Sequence, residues 1–157
     1  MQRITPFLWF DNQAEEAVNF YASVFKNSRV ESITRYQGGP MEGKVLTAVF
    51  DLDGQRFMAL DGGPQFQFTG AISMLVHCET QEEVDYYWDR LTEGGDEEAQ
   101  RCGWLKDKYG VTWQVVPAAL PALLTDPDPE KSQRVMEAMF PMKKIDIAAL
   151  QRAAEAG

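Results

Sequence analysis

Gly103-Trp104-Leu105-Lys106-Asp107-Lys108-Tyr109-Gly110-Val111-Thr112-Trp113-Gln114-Val115-Val116-Pro117 is the stretch on which the reading of this chain turns. Two apolar runs flank a Lys-Asp-Lys tip and a Tyr-Gly pair, which predicts a hairpin. Upstream of it, residues 71–79 read as a strand, and Thr80 with Glu83 forms a capping box. The helix that follows turns Val84, Tyr87, Trp88 and Leu91 inward, and Gly94-Gly95 stops it. Strands are expected at 98–101, 102–107 and 111–116.

The same order recurs earlier in the chain. Residues 4–10 form an apolar strand whose start, at Pro6, belongs at an edge or a bulge. Asn12 with Glu15 predicts a capping box, and Ala14, Ala17, Val18, Tyr21, Val24 and Phe25 give a helical stripe. Strands are expected at 29–36 and 45–52, and then at 55–60 beyond an Asp53-Gly54 hairpin turn. Residues 4–61 and 71–117 are therefore two βαβββ repeats. The fold class is α+β, with curved mixed half-sheets around a shared cleft. Residues 1–120 form this domain, and 121–157 form a helical extension. The extension has helices capped at Asp128 and Asp146. Its Val135, Met136, Met139, Phe140 and Ile145 need a surface to cover, in the same domain or on a partner subunit.

Composition narrows the function classes. The 157 residues fit one domain, and 45% apolar content can bury a core. A net charge of −9 argues against binding a phosphate backbone, so no nucleic-acid partner is expected. Two cysteines make no disulfide framework in a chain of this size. No apolar run is long enough for a membrane span, and Met1-Gln2-Arg3 leads straight into a strand without a signal peptide. A cytoplasmic location is expected.

Three segments carry a family likeness: Phe7-Leu8-Trp9-Phe10-Asp11 with Ala14-Glu15-Glu16-Ala17, Phe20-Tyr21 with Phe25-Lys26-Asn27-Ser28, and the block from Cys102 to Pro117. With Lys144-Ile145-Asp146-Ile147, they resemble the vicinal oxygen chelate superfamily, and within it the PhnB-like branch often labelled demethylubiquinone methyltransferase. The label fits poorly with the residues. A Rossmann-type methyltransferase needs a Gly-rich turn after its first strand, and here Asp11-Asn12-Gln13 follows instead.

The resemblance implies one metal ligand on the first and last strand of each half. It puts those positions at Thr5, Met58, Ser73 and Gln114. Only Gln114 is a plausible ligand, because Thr, Met and Ser suit hard or borderline cations badly. A cleft with no metal and no other cofactor is expected. Strand parity gives its lining as Thr5, Phe7, Trp9, Met58, Leu60, Ser73, Leu75, His77, Trp104 and Gln114, with Arg56, Thr112 and Val116 on the same face. Ile4, Leu8 and Phe10 should pack on the helix.

Catalytic candidates are His77, the only histidine, and Gln114. Lys106 and Lys108 read as hairpin residues rather than nucleophiles. Arg101 could activate Cys102, but neighbours on a strand point to opposite faces. The expected function is binding of a small apolar or aromatic molecule. The alternative is a metal-dependent lyase, isomerase or dioxygenase of the same superfamily. The resemblance also implies a homodimer.

Overall fold

A computed structural model describes residues 1–156. The chain divides into two compact units, Met1–Gln67 and the chain from Phe68 onward. In the first, β1 (Phe7–Phe10), α1 (Ala14–Val24), β2 (Arg29–Arg35), β3 (Val45–Leu52) and β4 (Gln55–Asp61) follow the expected βαβββ order. The sheet runs β1-β4-β3-β2, with β1 parallel to β4 and the other pairs antiparallel. Its inner face carries Leu8, Phe10, Ala48, Phe50, Leu52, Phe57 and Ala59, all buried. Helix α1 buries Ala14, Ala17, Val18, Tyr21 and Val24, residues spaced along one helical stripe. Phe50 and Phe57 face each other across β3 and β4, with ring centroids 5.7 Å apart. Ile4 does not join this core: it lies ahead of β1 and is 85% exposed.

The start of α1 also differs from the sequence reading. Asn12 is in the left-handed region at φ 62°, and the N-cap position falls on Gln13, whose side chain makes no capping bond. Asp61, at the end of β4, caps the helix from a distance. Its Oδ1 accepts the Ala14 N–H at 2.9 Å and its Oδ2 accepts the Val45 N–H at 3.1 Å. A buried carboxylate facing the positive end of a helix satisfies a donor that the local sequence leaves open.

The second unit repeats the plan with one strand fewer. Strand β5 (Ser73–Cys78), α2 (Gln81–Thr92), β6 (Trp104–Lys106) and β7 (Thr112–Pro117) form a sheet ordered β5-β7-β6. The strand expected at 98–101 is a 3-10 turn at Glu97–Ala99 followed by a single bridge between Arg101 and Trp104. Asp96 accepts the Glu98 N–H and bends the chain there, and no β-branched residue opposes it. Helix α2 begins as the sequence predicts, with the Glu83 N–H donating to Thr80 Oγ1.

Two hairpin geometries separate the repeats. Asp53 and Gly54 have φ of 49° and 80°, the pair of positive angles a two-residue type I′ turn requires. The β6–β7 connection is wider, and Asp107 closes it. The buried Asp107 carboxylate accepts the Tyr109 and Val111 N–H groups through Oδ1 at 2.9 and 3.0 Å, and Trp113 Nε1–H through Oδ2 at 2.8 Å. Lys106-Asp107-Lys108 is thus built around a structural carboxylate.

After β7 come α3 (Ala119–Leu124), α4 (Pro129–Met139) and α5 (Ile147–Glu155). Asp128 and Asp146 cap α4 and α5 as expected. Leu120, Val135, Ile145, Leu150 and Ala154 form a core of their own, and Val116 of β7 packs against it. Val116 is therefore turned to these helices rather than to an open face. Among the described residues no helix is long and apolar enough to cross a membrane.

Candidate functional site

Each sheet has one face against α1 or α2, and the opposite face of the second sheet meets the C-terminal helices at Val116. In the first unit the outer face is set by β1 and β4, whose register pairs Phe7 with Met58 and Trp9 with Leu60. Thr5 precedes β1 and has no place in this register. Phe7 is 48% exposed, so it does not fill a closed core within this unit. Trp9 is held from two sides: its Nε1–H donates to the Gly63 carbonyl at 2.9 Å, and its ring meets Phe66 edge-on at 4.9 Å. Gly62 lies directly under the indole, leaving no room for a Cβ. A Gly62→Ala variant is expected to displace Trp9 and to cost about 1–3 kcal/mol, read by thermal unfolding and a shift in tryptophan emission. An unchanged emission spectrum would contradict this packing.

The far end of the same face is ionic. Arg56 pairs with Glu31 at 2.6 Å and with Asp51 at 3.0 Å, and Arg29 also reaches Asp51. The Arg56 guanidinium hydrogen-bonded to Asp51 holds that carboxyl below the usual carboxylate range. Arg56 is thereby committed to its neighbours and is not a free counter-charge for a ligand.

In the second unit the register repeats that of the first. Ser73 pairs with Thr112, Leu75 with Gln114, His77 with Val116, and Trp104 of β6 with Gln114. Ser73, Leu75, His77, Gln114 and Trp104 share one face. Leu75 and Trp104 are 43% and 39% exposed. Gln114 Nε2–H donates to Ser73 Oγ at 2.9 Å, which fixes the amide. His77 is exposed and stands one same-face step from Gln114. Among the described residues no carboxylate orients it.

The four positions that the resemblance assigns to a metal can be tested by their donors. Met58 lies on the first outer face, Thr5 precedes β1, and Ser73 and Gln114 lie on the second outer face. They offer two hydroxyls, a thioether and one amide oxygen, and the Ser73 hydroxyl already accepts from Gln114. Carboxylate and imidazole are absent from the set, so it does not fit a divalent cation. Among the described residues no group of three His, Cys, Asp or Glu side chains could hold a metal ion.

Sequence reasoning missed one feature of this region. Cys102 and Gly103 have φ of 52° and 87°, so residues 101–104 form a second type I′ turn rather than a strand. Arg101 and Trp104 exchange backbone bonds of 3.0 and 2.8 Å across it. The turn removes the alternation that would have sent Arg101 and Cys102 to opposite faces. Both line one depression, together with Trp104, Met139 and Phe140. A Cys-Gly pair between two bulky residues is the signal for this turn, and cysteine is an unusual occupant of the left-handed region.

Comparison with known proteins agrees with this fold. Residues 2–116 match the family described as 3-demethylubiquinone-9 3-methyltransferase. A Bacillus cereus structure described as a putative 3-demethylubiquinone-9 3-methyltransferase, PhnB protein, is 45% identical, with a TM-score of 0.69 over 74% of this chain and 100% of that one. A Pseudomonas aeruginosa protein is 21% identical, with a TM-score of 0.64 over 74% of this chain and 98% of that one. The fosfomycin resistance protein FosX of Listeria monocytogenes is 16% identical, with a TM-score of 0.55 over 79% of this chain and 97% of that one. The last two share the fold alone. The curated proteins give no match. The chain belongs to the family described as 3-demethylubiquinone-9 3-methyltransferase, and its fold is shared with a PhnB protein and a fosfomycin resistance protein.

Proposed function

We propose that this protein binds a small apolar or aromatic molecule, without a metal, on an outer sheet face, either that of Phe7, Trp9, Met58 and Leu60 in the first unit or that of Leu75, Trp104 and Gln114 in the second. The observation that carries this reading is the donor set. Where the resemblance calls for metal ligands, the chain has Thr5, Met58, Ser73 and Gln114, with the last two hydrogen-bonded to each other. Exposed aromatic and aliphatic side chains with a fixed amide suit burial and stacking of an organic ligand. His77 and Gln114 remain the candidates for any proton transfer, although an unoriented histidine supports catalysis poorly.

The methyltransferase description is disfavoured on the same grounds. Neither sheet is doubly wound and parallel, and Asp11-Asn12-Gln13 follows β1 where a glycine-rich turn would be needed. Fold likeness does not by itself carry an activity. We further infer a domain at 1–120 with an extension at 121–157, a homodimer, and a cytoplasmic location. Two free thiols, Cys78 and Cys102, fit a reducing compartment.

The test is a fragment screen by ligand-observed NMR on protein dialysed against a chelator. Aromatic fragments are expected to bind the metal-free protein, and Trp9→Ala or Trp104→Ala is expected to weaken them about tenfold, the loss of one stacking partner. Binding or turnover that appears only with an added divalent ion would replace this reading with the metal-dependent enzyme.

A further inference from the structure

The depression lined by Arg101, Cys102, Trp104, Met139 and Phe140 has a volume of about 550 Å³, within the range of small-molecule pockets. Its two sides have different origins. Arg101, Cys102 and Trp104 belong to the part of the chain that matches the family, which ends at residue 116. Met139 and Phe140 come from the end of α4. The Bacillus cereus relative is matched over its whole length by 74% of this chain. One wall is therefore supplied by a segment beyond the family match. The two walls are fastened together: the Cys102 and Gly103 N–H groups donate to the Met142 and Lys143 carbonyls, both at 2.8 Å. The Cys102 thiol adds contacts to the carbonyls of Met139 and Phe140 at 3.4 and 3.5 Å.

We propose that this depression binds a small amphipathic anion, an aromatic body bearing a carboxylate, and that the C-terminal extension creates the site. Trp104 and Phe140 are 39% and 58% exposed, and with the Met139 thioether they give the depression an apolar lining. Such a surface takes an aromatic body by stacking and by sulfur–aromatic contact. Arg101 supplies the charge. Arg29, Arg35 and Arg56 are each paired with acidic side chains, whereas the Arg101 side chain makes no ion pair or hydrogen bond among the described residues. Among the described residues Arg3 and Arg152 are unpaired as well, and Arg101 is the one of these three that lines this depression. Its planar fork fits a carboxylate with two parallel hydrogen bonds. The site uses Trp104 from the outer face of the second sheet but otherwise goes beyond the binding role proposed above.

Cys102 provides the readout. Cys78 is buried, and burial, with a smaller contribution from Glu83, pushes its thiol up to about 11, so it stays protonated and shielded at neutral pH. Iodoacetamide is therefore expected to alkylate the folded chain at Cys102 alone. The probes are 1-naphthylacetate and its neutral isostere 1-naphthylacetamide. Both should slow alkylation, the acid at a concentration about tenfold lower than the amide, the worth of a charge-assisted pair. Arg101→Gln should remove the acid's advantage at an unchanged melting temperature, and Phe140→Ala should weaken protection by both.

Equal protection by acid and amide, no protection by either, or a preference that survives Arg101→Gln would overturn the proposal. Protection that depends on protein concentration and not on the probe would mean that a second copy covers the depression, and would also overturn it. A fragment that binds metal-free protein yet leaves Cys102 unprotected would favour the sheet-face reading and count against this one. Naphthylacetate protection with no fragment effect from Trp9→Ala would do the reverse.

Discussion

Replacing Asp107 with alanine is expected to cost about 4 kcal/mol, among the larger losses a single substitution produces. The carboxylate is 2% exposed and accepts hydrogen bonds from the Tyr109 and Val111 backbone and from the Trp113 indole. Alanine would take the carboxylate acceptor away from these buried donors. In a chain of this length the loss corresponds to a melting-temperature decrease of roughly 10 °C. Asp107→Asn separates the contributions. Its amide oxygen can still accept from the two backbone groups, but its NH₂ would face the Trp113 N–H, so about half the loss is expected. Thermal and urea unfolding followed by tryptophan fluorescence measure both variants. A loss under about 1 kcal/mol for alanine would show that the hairpin does not depend on this carboxylate. The stake extends beyond stability, because this hairpin carries Trp104 and Gln114.

A second large effect is expected at Asp61. Its carboxylate is 3% exposed and divides its oxygens between the first turn of α1 and the start of β3. Asp61→Ala removes a helix cap and a strand anchor together, for a loss of about 3 kcal/mol. The informative comparison is Asn12. The local sequence assigns the cap to Asn12, and a cap replaced by an ordinary residue costs about 1 kcal/mol. The structure gives Asn12 a φ of 62° and no capping bond. Asn12→Gly should therefore leave stability within about 0.5 kcal/mol, since glycine adopts that backbone freely. Denaturant unfolding of the two variants decides between the assignments. A larger loss for Asn12→Gly than for Asp61→Ala would return the cap to Asn12.

These two aspartates show where the sequence could be read and where it could not. Strand alternation and helical stripes are local and periodic, so Leu8 and Phe10 against Phe7 and Trp9, or Val76 and Cys78 against Leu75 and His77, could be assigned to faces without coordinates. The caps at Thr80, Asp128 and Asp146 were legible because donor and acceptor lie within three residues. Asp61 caps a helix 47 residues away, and no local pattern records that. The missing strand at 98–101 and the turn at Cys102-Gly103 failed for a related reason. The repeat supplied a template, and the acidic run with Asp96 capping Glu98 departs from it. Of the candidate site, the shared faces and the Ser73–Gln114 neighbourhood followed from parity. The depression beside Arg101 did not, because its second wall comes from a segment outside the repeats.

That second wall has a consequence for what the turn beneath it can carry. Ile145 is fully buried, and its side chain lies 3.3 Å from where a Cβ on Gly103 would be. Gly103 itself sits at φ 87° with its N–H given to Lys143. The turn and the tail have thus become mutually dependent. A larger residue at the turn would meet the Val115 carbonyl oxygen of its own hairpin at 2.9 Å even before it met Ile145, and loss of the tail would uncover Val116, Leu120 and the turn at once. Glycine at 103 is thus required twice over, by the hairpin's own backbone and by the tail that packs on it, and the tail could seat Ile145 so closely only on a turn that already had no side chain to offer.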